Sequence, residues 1–264
     1  QLDTITRTKL SGGSYDRIYV AAHSKEVQLG SLLADGYAFQ TADQTYVDYT
    51  QTLQGSYIYN LTVVKCPHVK VENGTCAYCN TENIAAMVDD TIYSSVADAI
   101  DAWLAGGEKL ILYADYDIPD VTWQVNGEHT LDMNGHKLTS GNITLGNGMD
   151  LTLLDRVGGR SSQAMIESLT VNNGAKLTME DGYITTLKVK NVADGDVKLR
   201  GGQFWANEIS VPIYKLVESG YCVMNGNITV DLTKEEHYGC YYVKKAGITA
   251  AGGESGSIAI GENR

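Results

Sequence analysis

The sequence predicts a mainly β protein whose largest part is a solenoid, with one capping helix and small β-meander units. Three observations favour this fold class. Thr, Val, Ile, Leu and Tyr, which strands favour, dominate the ordered-looking segments. Short apolar–polar–apolar runs alternate with Gly, Asn and Asp corners over about a hundred residues. One amphipathic helical pattern precedes the first of these runs.

The solenoid is predicted between Lys109 and Val211. The outer positions of each run are apolar, so Leu, Ile, Val and Met side chains would stack inwards on successive coils. A β-sandwich would give a similar spacing of strands and corners. We favour the solenoid because the runs are short and uniform. The runs begin at Leu110, Val121, Leu131, Ile143, Leu151, Leu169, Leu177, Leu187, Val197 and Ile209.

A helix is predicted over residues 95–105. Apolar residues recur there at the i, i+3, i+4, i+7, i+8 spacing of a single helical face. Ser95 and Asp98 have the spacing of a capping box, and Gly106-Gly107 ends the pattern. Because the end of a solenoid exposes a strand edge and an apolar cross-section, we expect this helix to cover it.

Four motifs near the start of the chain return in the same order near its end, which indicates an internal duplication. The offset is 189 residues at the paired glycines and 183 or 184 at the other motifs. The first copies are Lys9-Leu10 with Gly12-Gly13, Leu32 to Ala38, Val47-Asp48 and Gly55-Ser56-Tyr57; the second are Lys198-Leu199 with Gly201-Gly202, Leu216 to Cys222, Val230-Asp231 and Gly239-Cys240-Tyr241.

These patterns divide the chain into five segments. The last of them contains Gly and Ser without an apolar period, which is typical of a linker or tail. The segments are 1–65, the C-terminal part of a first repeat; 66–81, a Cys/His joint; 82–211, the solenoid with its helix; 212–246, a small β unit that repeats 29–65; and 247–264, the tail.

Two stretches resemble known proteins. Leu131-Asp-Met-Asn-Gly-His-Lys-Leu138 resembles a rung of pectate-lyase-like proteins, which implies a right-handed parallel β-helix. The wider run from Ile84 to Gly141 is similar to repeat modules of large surface proteins of Gram-positive gut bacteria, where a Cys-x-His…Gly-x-Cys-x-x-Cys segment lies between modules. This resemblance implies a secreted or cell-wall-anchored adhesin or host-binding scaffold, with further repeats in the parent chain. Some related surface proteins bind immunoglobulin.

Cys and His are concentrated in one stretch. Cys66, His68, Cys76 and Cys79 supply three thiolates and one imidazole within fourteen residues. Structural Zn²⁺ sites take four such ligands in a tetrahedron, and an Asn-Gly pair ahead of the second Cys supplies a tight turn. We predict a structural zinc site that stiffens the joint and leaves no open position for catalysis. The alternative, disulfide pairing, would leave one of these three cysteines unpaired.

The other two cysteines stand where the first copy has small residues. Cys222 and Cys240 replace Ala38 and Ser56. This paired change suggests that the two positions face each other across neighbouring strands, which would allow a disulfide. Its loop of 17 intervening residues would contribute ~3 kcal/mol in the chain-entropy model. The alternative is two buried free thiols in contact.

No convincing catalytic set is present. A β-helix glycosidase needs paired carboxylates on adjacent coils, and a lyase needs Ca²⁺-binding Asp residues with a basic residue. The available acidic residues lie beside corners, where solvated Asp is ordinary turn chemistry. We therefore expect no enzyme activity, and surface positions for both histidines of this region. The residues considered are Asp132, Asp150, Asp155, Glu180, Asp181, Arg156, Arg160, His129 and His136.

The net charge of −12 without a basic cluster argues against nucleic acid, and no apolar run is long enough for a spanning helix. The preferred hypothesis is a non-catalytic module that presents a Tyr-bearing acidic face to a host protein or glycan. A polysaccharide lyase or hydrolase and a spacer of a surface protein are the alternatives. An exposed aromatic patch would favour the first, a convergent acidic cluster with Arg the second, and a uniformly polar surface the third.

Overall fold

The computed structural model describes residues 9–21, 25–157, 165–225, 228–229 and 239–246. The chain divides into two compact units between Ala85 and Ala86, which we call the N-terminal and C-terminal units. The Cys/His segment belongs to the N-terminal unit. The predicted tail, the Val230-Asp231 motif and Arg160 lie outside the described residues.

The N-terminal unit is built on a three-stranded antiparallel sheet in the order β1-β5-β3. Two smaller antiparallel pairs, β2-β4 and β6-β7, accompany it. Its core includes fully buried Leu29, Phe39 and Leu61. The elements are β1 Gly13–Val20, β2 Val27–Gln28, a 3₁₀ helix Leu29–Leu32, β3 Tyr37–Gln40, β4 Thr52–Leu53, β5 Ser56–Lys65, β6 Val71–Glu72 and β7 Thr75–Cys76.

The C-terminal unit is a parallel β-helix. One row of strands pairs in the order β10-β13-β15-β17-β19 and a second in the order β14-β16-β18-β20, with β11 and β12 both on β14. Its elements are β8 Ala86–Val88, β9 Thr91–Tyr93, α1 Val96–Leu104, β10 Lys109–Leu112, β11 Tyr116–Ile118, β12 Val121–Trp123, β13 Gly127–Asp132, β14 Lys137–Leu145, β15 Met149–Leu154, β16 Met165–Val171, β17 Lys176–Met179, β18 Tyr183–Val189, β19 Val197–Leu199, β20 Gln203–Ile209, a 3₁₀ helix Ile213–Lys215, β21 Tyr221–Asn225, β22 Ile228–Thr229 and β23 Gly239–Lys245.

The predicted inward stack is confirmed along the parallel rows. Leu131, Leu153 and Met179 occupy one column of register partners and are fully buried. In the second row, Leu169 and Leu187 pair in the same way and are also fully buried. The predicted fold class, mainly β with a parallel β-helix, one helix and small antiparallel units, is therefore what the chain forms.

The helix α1 and the β8-β9 hairpin cover the first coil of the β-helix. The Ser95 hydroxyl accepts a hydrogen bond from the Asp98 backbone N–H at 3.3 Å, which confirms the predicted N-cap. Trp103 of α1 is fully buried and meets Trp123 edge to face, with ring centroids 5.2 Å apart. β8 adds to β10 in antiparallel fashion, so the first strand of this row is not an open edge.

His129 does not lie on the surface, contrary to the sequence-based expectation. It is buried, its Nδ1 lies 3.0 Å from the carbonyl oxygen of Gly107, and its ring meets Trp103 edge to face. The helix cap folds over the first coils and encloses it. His136 is the partly exposed histidine of the pair, and its Nδ1 lies 3.2 Å from a carboxylate oxygen of Asp115.

The other end of the β-helix is covered by antiparallel strands. β23 pairs with β20, the last parallel strand, and β21 pairs with β23. In the described part of 212–246, which was predicted as a small β unit that repeats 29–65, β21 and β23 extend the second sheet of the β-helix. The change of strand direction at β20 ends the parallel stacking.

Equivalent backbone hydrogen bonds in the two copies support the internal duplication. Leu10 N–H donates to Leu32 O at 2.8 Å, and Leu199 N–H donates to Leu216 O at 2.7 Å. Their backbones form equivalent parallel bridges, Leu10 to Leu33 and Leu199 to Val217. Both copies are three-stranded antiparallel sheets, β1-β5-β3 and β20-β23-β21.

The structure corrects the alignment of the last strand of each copy. Tyr15 pairs with Leu61, and its counterpart Phe204 pairs with Tyr241. The offset in this strand is therefore 180 residues rather than 184, because the second copy reaches it through a shorter connection. Cys240 is the counterpart of Asn60, not of Ser56.

The predicted Cys222–Cys240 disulfide is wrong for the same reason. Cys222 pairs with Lys244, four residues along β23 from Cys240. Four residues of strand span about 13 Å, whereas a disulfide needs Cα atoms within about 7 Å. Both cysteines are free thiols.

Removing an inward side chain should destabilise the C-terminal unit. Leu151→Ala should lower the free energy of unfolding by about 2–5 kcal/mol, because this residue is fully buried between coils. Thr152→Ala, on the opposite face of β15, should cost less than about 1 kcal/mol. Urea unfolding followed by Trp fluorescence reports this unit, since all three Trp lie in it. Equal losses for the two variants would contradict the inward stack.

Candidate metal centre

The Cys/His segment forms one buried cluster at the end of β5. Cys66 follows this strand directly, and its backbone N–H donates to Gly36 O at 2.8 Å, which fixes the first ligand to the sheet. The structure brings together all four residues predicted from the sequence. The ligand atoms of Cys66, His68, Cys76 and Cys79 lie within 4.8 Å of one another.

A tight hairpin presents the second pair of ligands. β6 and β7 pair with Val71 opposite Cys76, and the two residues between the strands, Asn73 and Gly74, have φ values of 50° and 73°. Positive φ at both positions is the type I′ turn that Asn-Gly favours. After Cys76 the chain turns back, with Asn80 N–H donating to Cys76 O at 2.9 Å.

The four side chains are shielded from solvent. Their exposed fractions are between 1% for Cys76 and 8% for His68. The Cys66 and Cys76 sulfurs are 3.5 Å apart, and His68 Nδ1 lies 3.5 Å from the Cys79 sulfur. The Cys79 sulfur also lies 3.1 Å from the Thr81 hydroxyl, whose position orients it.

Hydrogen bonding within the cluster separates the pKa values of its members. Contacts with the Cys76 and Cys79 side chains raise the pKa of Cys66, whereas those from Cys66 and Cys76 lower the pKa of Cys79. Hydrogen bonds to Cys76 and Cys79 raise the pKa of His68 to about 9. A cation that binds there must displace the protons that Cys66 and His68 hold.

The donor set and its spacing fit a tetrahedral metal ion. With metal–sulfur distances of about 2.3 Å, two ligand sulfurs of a tetrahedron lie about 3.8 Å apart. The Cys66–Cys76 separation of 3.5 Å needs only a small adjustment to reach that value. His68 would bind through Nδ1, the nitrogen that faces Cys79. The cluster could thus hold a metal ion with every position filled by protein.

The acidic residues of the β-helix are largely engaged in structural contacts. Asp132 is fully buried, contrary to the expected exposed position, and accepts hydrogen bonds from the backbone N–H groups of Asn134 and Arg156. The Arg156 side chain forms an ion pair with it. Asp155 is also buried and accepts from the N–H of Gly135 at 2.8 Å.

Two further carboxylates of this set differ in their surroundings. Burial raises the pKa of Asp181, and the charge of Asp155 adds to the rise, while a hydrogen bond from the Gly182 N–H opposes it. Glu180 forms an ion pair with Arg200 at 2.7 Å. Among the residues that the structure describes, only the Cys/His cluster brings together a set of metal-ligating side chains.

One exposed aromatic surface was not located by the sequence. Tyr19, Tyr57 and Tyr59 lie side by side on β1 and β5, with 50%, 46% and 57% of their surfaces exposed. The first two rings stack at 4.4 Å and the last two at 5.8 Å, and the Arg17 guanidinium lies 5.7 Å from the Tyr57 centroid. We call these four residues the tyrosine strip.

The tyrosine strip exists because the buried side of β5 changes within the strand. Leu61 and Val63 are buried, and Asn60 then adopts a left-handed conformation with φ of 54°. Beyond Asn60, Ile58 packs against the core, while Tyr57 and Tyr59 are exposed. The alternation of Tyr and Ile in Tyr57-Ile-Tyr59 could have indicated that both Tyr side chains lie on one face of a strand. It could not have indicated that this strand pairs with β1.

The strip does not lie on the acidic part of the chain. Residues 1–85 contain eight acidic and six basic residues, a net charge of −2, so ten of the twelve net negative charges lie in residues 86–264. Most of the net negative charge and the tyrosine strip therefore belong to different units.

No protein-family model, curated protein or solved structure matches this chain. Across the described residues, every helix is too short or too polar to cross a bilayer.

The cluster should retain about one equivalent of metal in protein purified without chelator. Cys76→Ser should reduce this below about half an equivalent, because three ligands bind a structural metal far more weakly than four. Cys222→Ser is the matched control, a buried cysteine outside the cluster that should leave metal content unchanged. Elemental analysis checks both. Equal metal content in the two variants would rule out this ligand set.

Proposed function

We propose that this chain is a non-catalytic binding module of a bacterial surface protein, secreted or anchored to the cell wall. Its ligand is a host protein, immunoglobulin among them, or a glycan. The observation that carries the proposal is the tyrosine strip. Three stacked and exposed Tyr rings beside an Arg form a surface of the composition that binding hot spots favour.

The strip is suited to binding because it is already ordered. Tyr19 and Tyr57 hold each other's rings by stacking, so little side-chain entropy is lost when a ligand covers them. The phenol groups supply hydrogen-bonding tips on apolar rings, and Arg17 adds a cation at the same place. Such a combination matches ligands that have both apolar faces and polar groups.

We further propose that the metal is Zn²⁺ and that its role is structural. Three thiolates and an imidazole are the soft donor set that structural zinc sites use. All four ligands come from the protein and are buried, so no position is left for a substrate. The ion would hold the polar segment from Cys66 to Cys79 against the sheet, because the segment has little apolar surface of its own to bury.

A glycoside-cleaving enzyme is the second candidate function. The observation that favours it is the raised pKa of Asp181 beside Asp155 on the adjacent coil, an arrangement that general-acid catalysis can use. Against it, Asp155 is held by backbone N–H groups of Gly135 and Val157. We therefore rank binding above catalysis.

Ligand binding should depend on the strip. A screen against glycans and host secretory proteins, immunoglobulins included, should give a partner whose affinity falls at least about 30-fold in a Tyr19→Ala/Tyr57→Ala double variant. Tyr214→Ala is the matched control, because this Tyr is 45% exposed in the other unit. Biolayer interferometry measures both.

Two results would contradict the binding proposal. One is a negative screen together with release of sugar from a polymer that Asp181→Asn abolishes. The other is a partner whose affinity falls equally in the Tyr214 variant and the double variant.

Zinc should bind more weakly as the pH is lowered. His68 and Cys66 must lose their protons to become ligands, so protons compete with the cation increasingly at lower pH. Competition titrations with a zinc chelator at several pH values measure this dependence. An affinity that does not change between about pH 8 and pH 6 would argue against thiolate and imidazole ligands.

A further inference from the structure

The two copies of the antiparallel sheet differ at one edge. In the second copy, β20 pairs with β23 on one side and in parallel with β18 on the other. In the first copy, β1 pairs with β5, and the described part of the chain offers no strand to its other side. The outer edge of β1 thus carries backbone N–H and C=O groups. The corresponding groups of β20 are hydrogen-bonded to β18, a strand of the preceding coil.

The apolar residues at this edge are less buried in the first copy than in the second. Leu199 and Phe204 are fully buried, and their register partners on the preceding coil are Met179 and Ile184. Their counterparts in the first copy, Leu10 and Tyr15, are only partly buried. The side chains that a preceding coil would cover are therefore present in the first copy.

The paired glycines make the comparison sharper. A Cβ atom on Gly201 would lie 2.0 Å from the carbonyl oxygen of Glu180, and one on Gly202 would lie 2.4 Å from the Met179 side chain. The coil that contains residues 179–182 thus excludes side chains at this corner. Glycine is the residue that permits such an approach of backbone to backbone.

At Gly12, the counterpart of Gly201, the described fold gives no such reason for glycine. No described atom lies within 4 Å of a Cβ placed there, and φ lies outside the left-handed region. A Cβ on Gly13 would meet only Tyr15, at 3.6 Å, although its φ of 103° does favour glycine. A steric requirement for glycine at position 12 would exist only if another stretch of backbone packed against this residue.

We infer that the outer edge of β1, with Leu10 and Gly12-Gly13, receives a coil of a parallel β-helix. The coil stacks there as residues 176–189 stack on residues 197–209. By equivalence with β18 and β20, its strand runs parallel to β1, and the position that corresponds to Ile184 lies opposite Tyr15. This inference does not depend on the tyrosine strip, whose rings project from the sheet face rather than from its edge.

The occupant is a β-helix coil rather than a second β1 strand. Two β1 strands related by a twofold axis would pair in antiparallel fashion, but the equivalent edge of β20 accepts a parallel strand. A coil also supplies both strands that the first copy lacks, one beside β1 and one beside Leu10. In the second copy, β18 lies beside Phe204 and β17 lies beside Leu199 in this way.

The first test compares the two corners in the protein as it exists. Gly12→Val should leave the urea midpoint of the N-terminal unit unchanged, because no described atom lies within 4 Å of the added Cβ. Gly201→Val should clearly lower the urea midpoint of the C-terminal unit, because its side chain would meet the Glu180 backbone. Circular dichroism follows both units, whereas Trp fluorescence reports only the C-terminal one. Equal destabilisation by both variants would overturn the inference, since the space beside Gly12 would then be filled within this chain.

The second test supplies the coil. Residues 86–197 are placed directly before residue 9, so that a β-helix runs into the first copy as it runs into the second. The Ser14 amide, whose counterpart Gln203 donates to Gly182 O at 2.8 Å, should exchange its hydrogen at least about 100-fold more slowly than in the original chain. Gly12→Val should remove this protection in the extended chain.

Unchanged exchange at Ser14 in the extended chain would overturn the inference, provided that β3 and β5 amides exchange as before. The inference would also be overturned if Gly12→Val left the exchange rate of the Ser14 amide unchanged in the extended chain. Protection of Ser14 in the original chain that rises with protein concentration, together with a dimer in sedimentation, would assign the edge to a second copy instead.

Discussion

The backbone ladder between stacked coils is the interaction on which this protein depends, and it cannot end without a cover. Each coil satisfies the N–H and C=O groups of the next, so the first and last coils retain unpaired groups and an apolar cross-section. At one end the cover is the β8-β9 hairpin with α1, whose Trp103 seals the first coils. At the other, β23 pairs antiparallel to β20 and β21 completes the sheet.

The Cys/His cluster solves a different problem. The segment from Cys66 to Cys79 consists mainly of short polar turns, which alone cannot offset the entropy of their ordering. It is tied to the sheet by the Cys66 N–H bond to Gly36. The second copy keeps this bond, from Ala246 N–H to Gly220 O at 2.8 Å, but Ala246 stands in the place of Cys66. The same backbone arrangement thus begins the Cys/His cluster with Cys66 in the first copy and has Ala246 at that position in the second.

The exposed aromatic surface and the buried acidic residues lie on different parts of the chain. The tyrosine strip lies on the nearly neutral N-terminal unit, whereas the acidic residues are concentrated in the β-helix, where Asp132 and Asp155 stabilise corners through backbone N–H groups. This separation explains why neither charge nor composition located the strip. Its exposure follows from the conformation of Asn60 and from the pairing of β5 with β1.

The sequence by itself determined the elements and the members of the Cys/His cluster, because both depend on local spacing. Apolar alternation predicted the coils, a capping box predicted α1, and four ligands within fourteen residues predicted the cluster. Tertiary structure alone decided the pairing of Cys222 with Lys244, the burial of His129 under the cap and the alignment of Tyr241 with Leu61. These depend on strand register between segments far apart in the chain, and loops of variable length uncouple register from sequence distance.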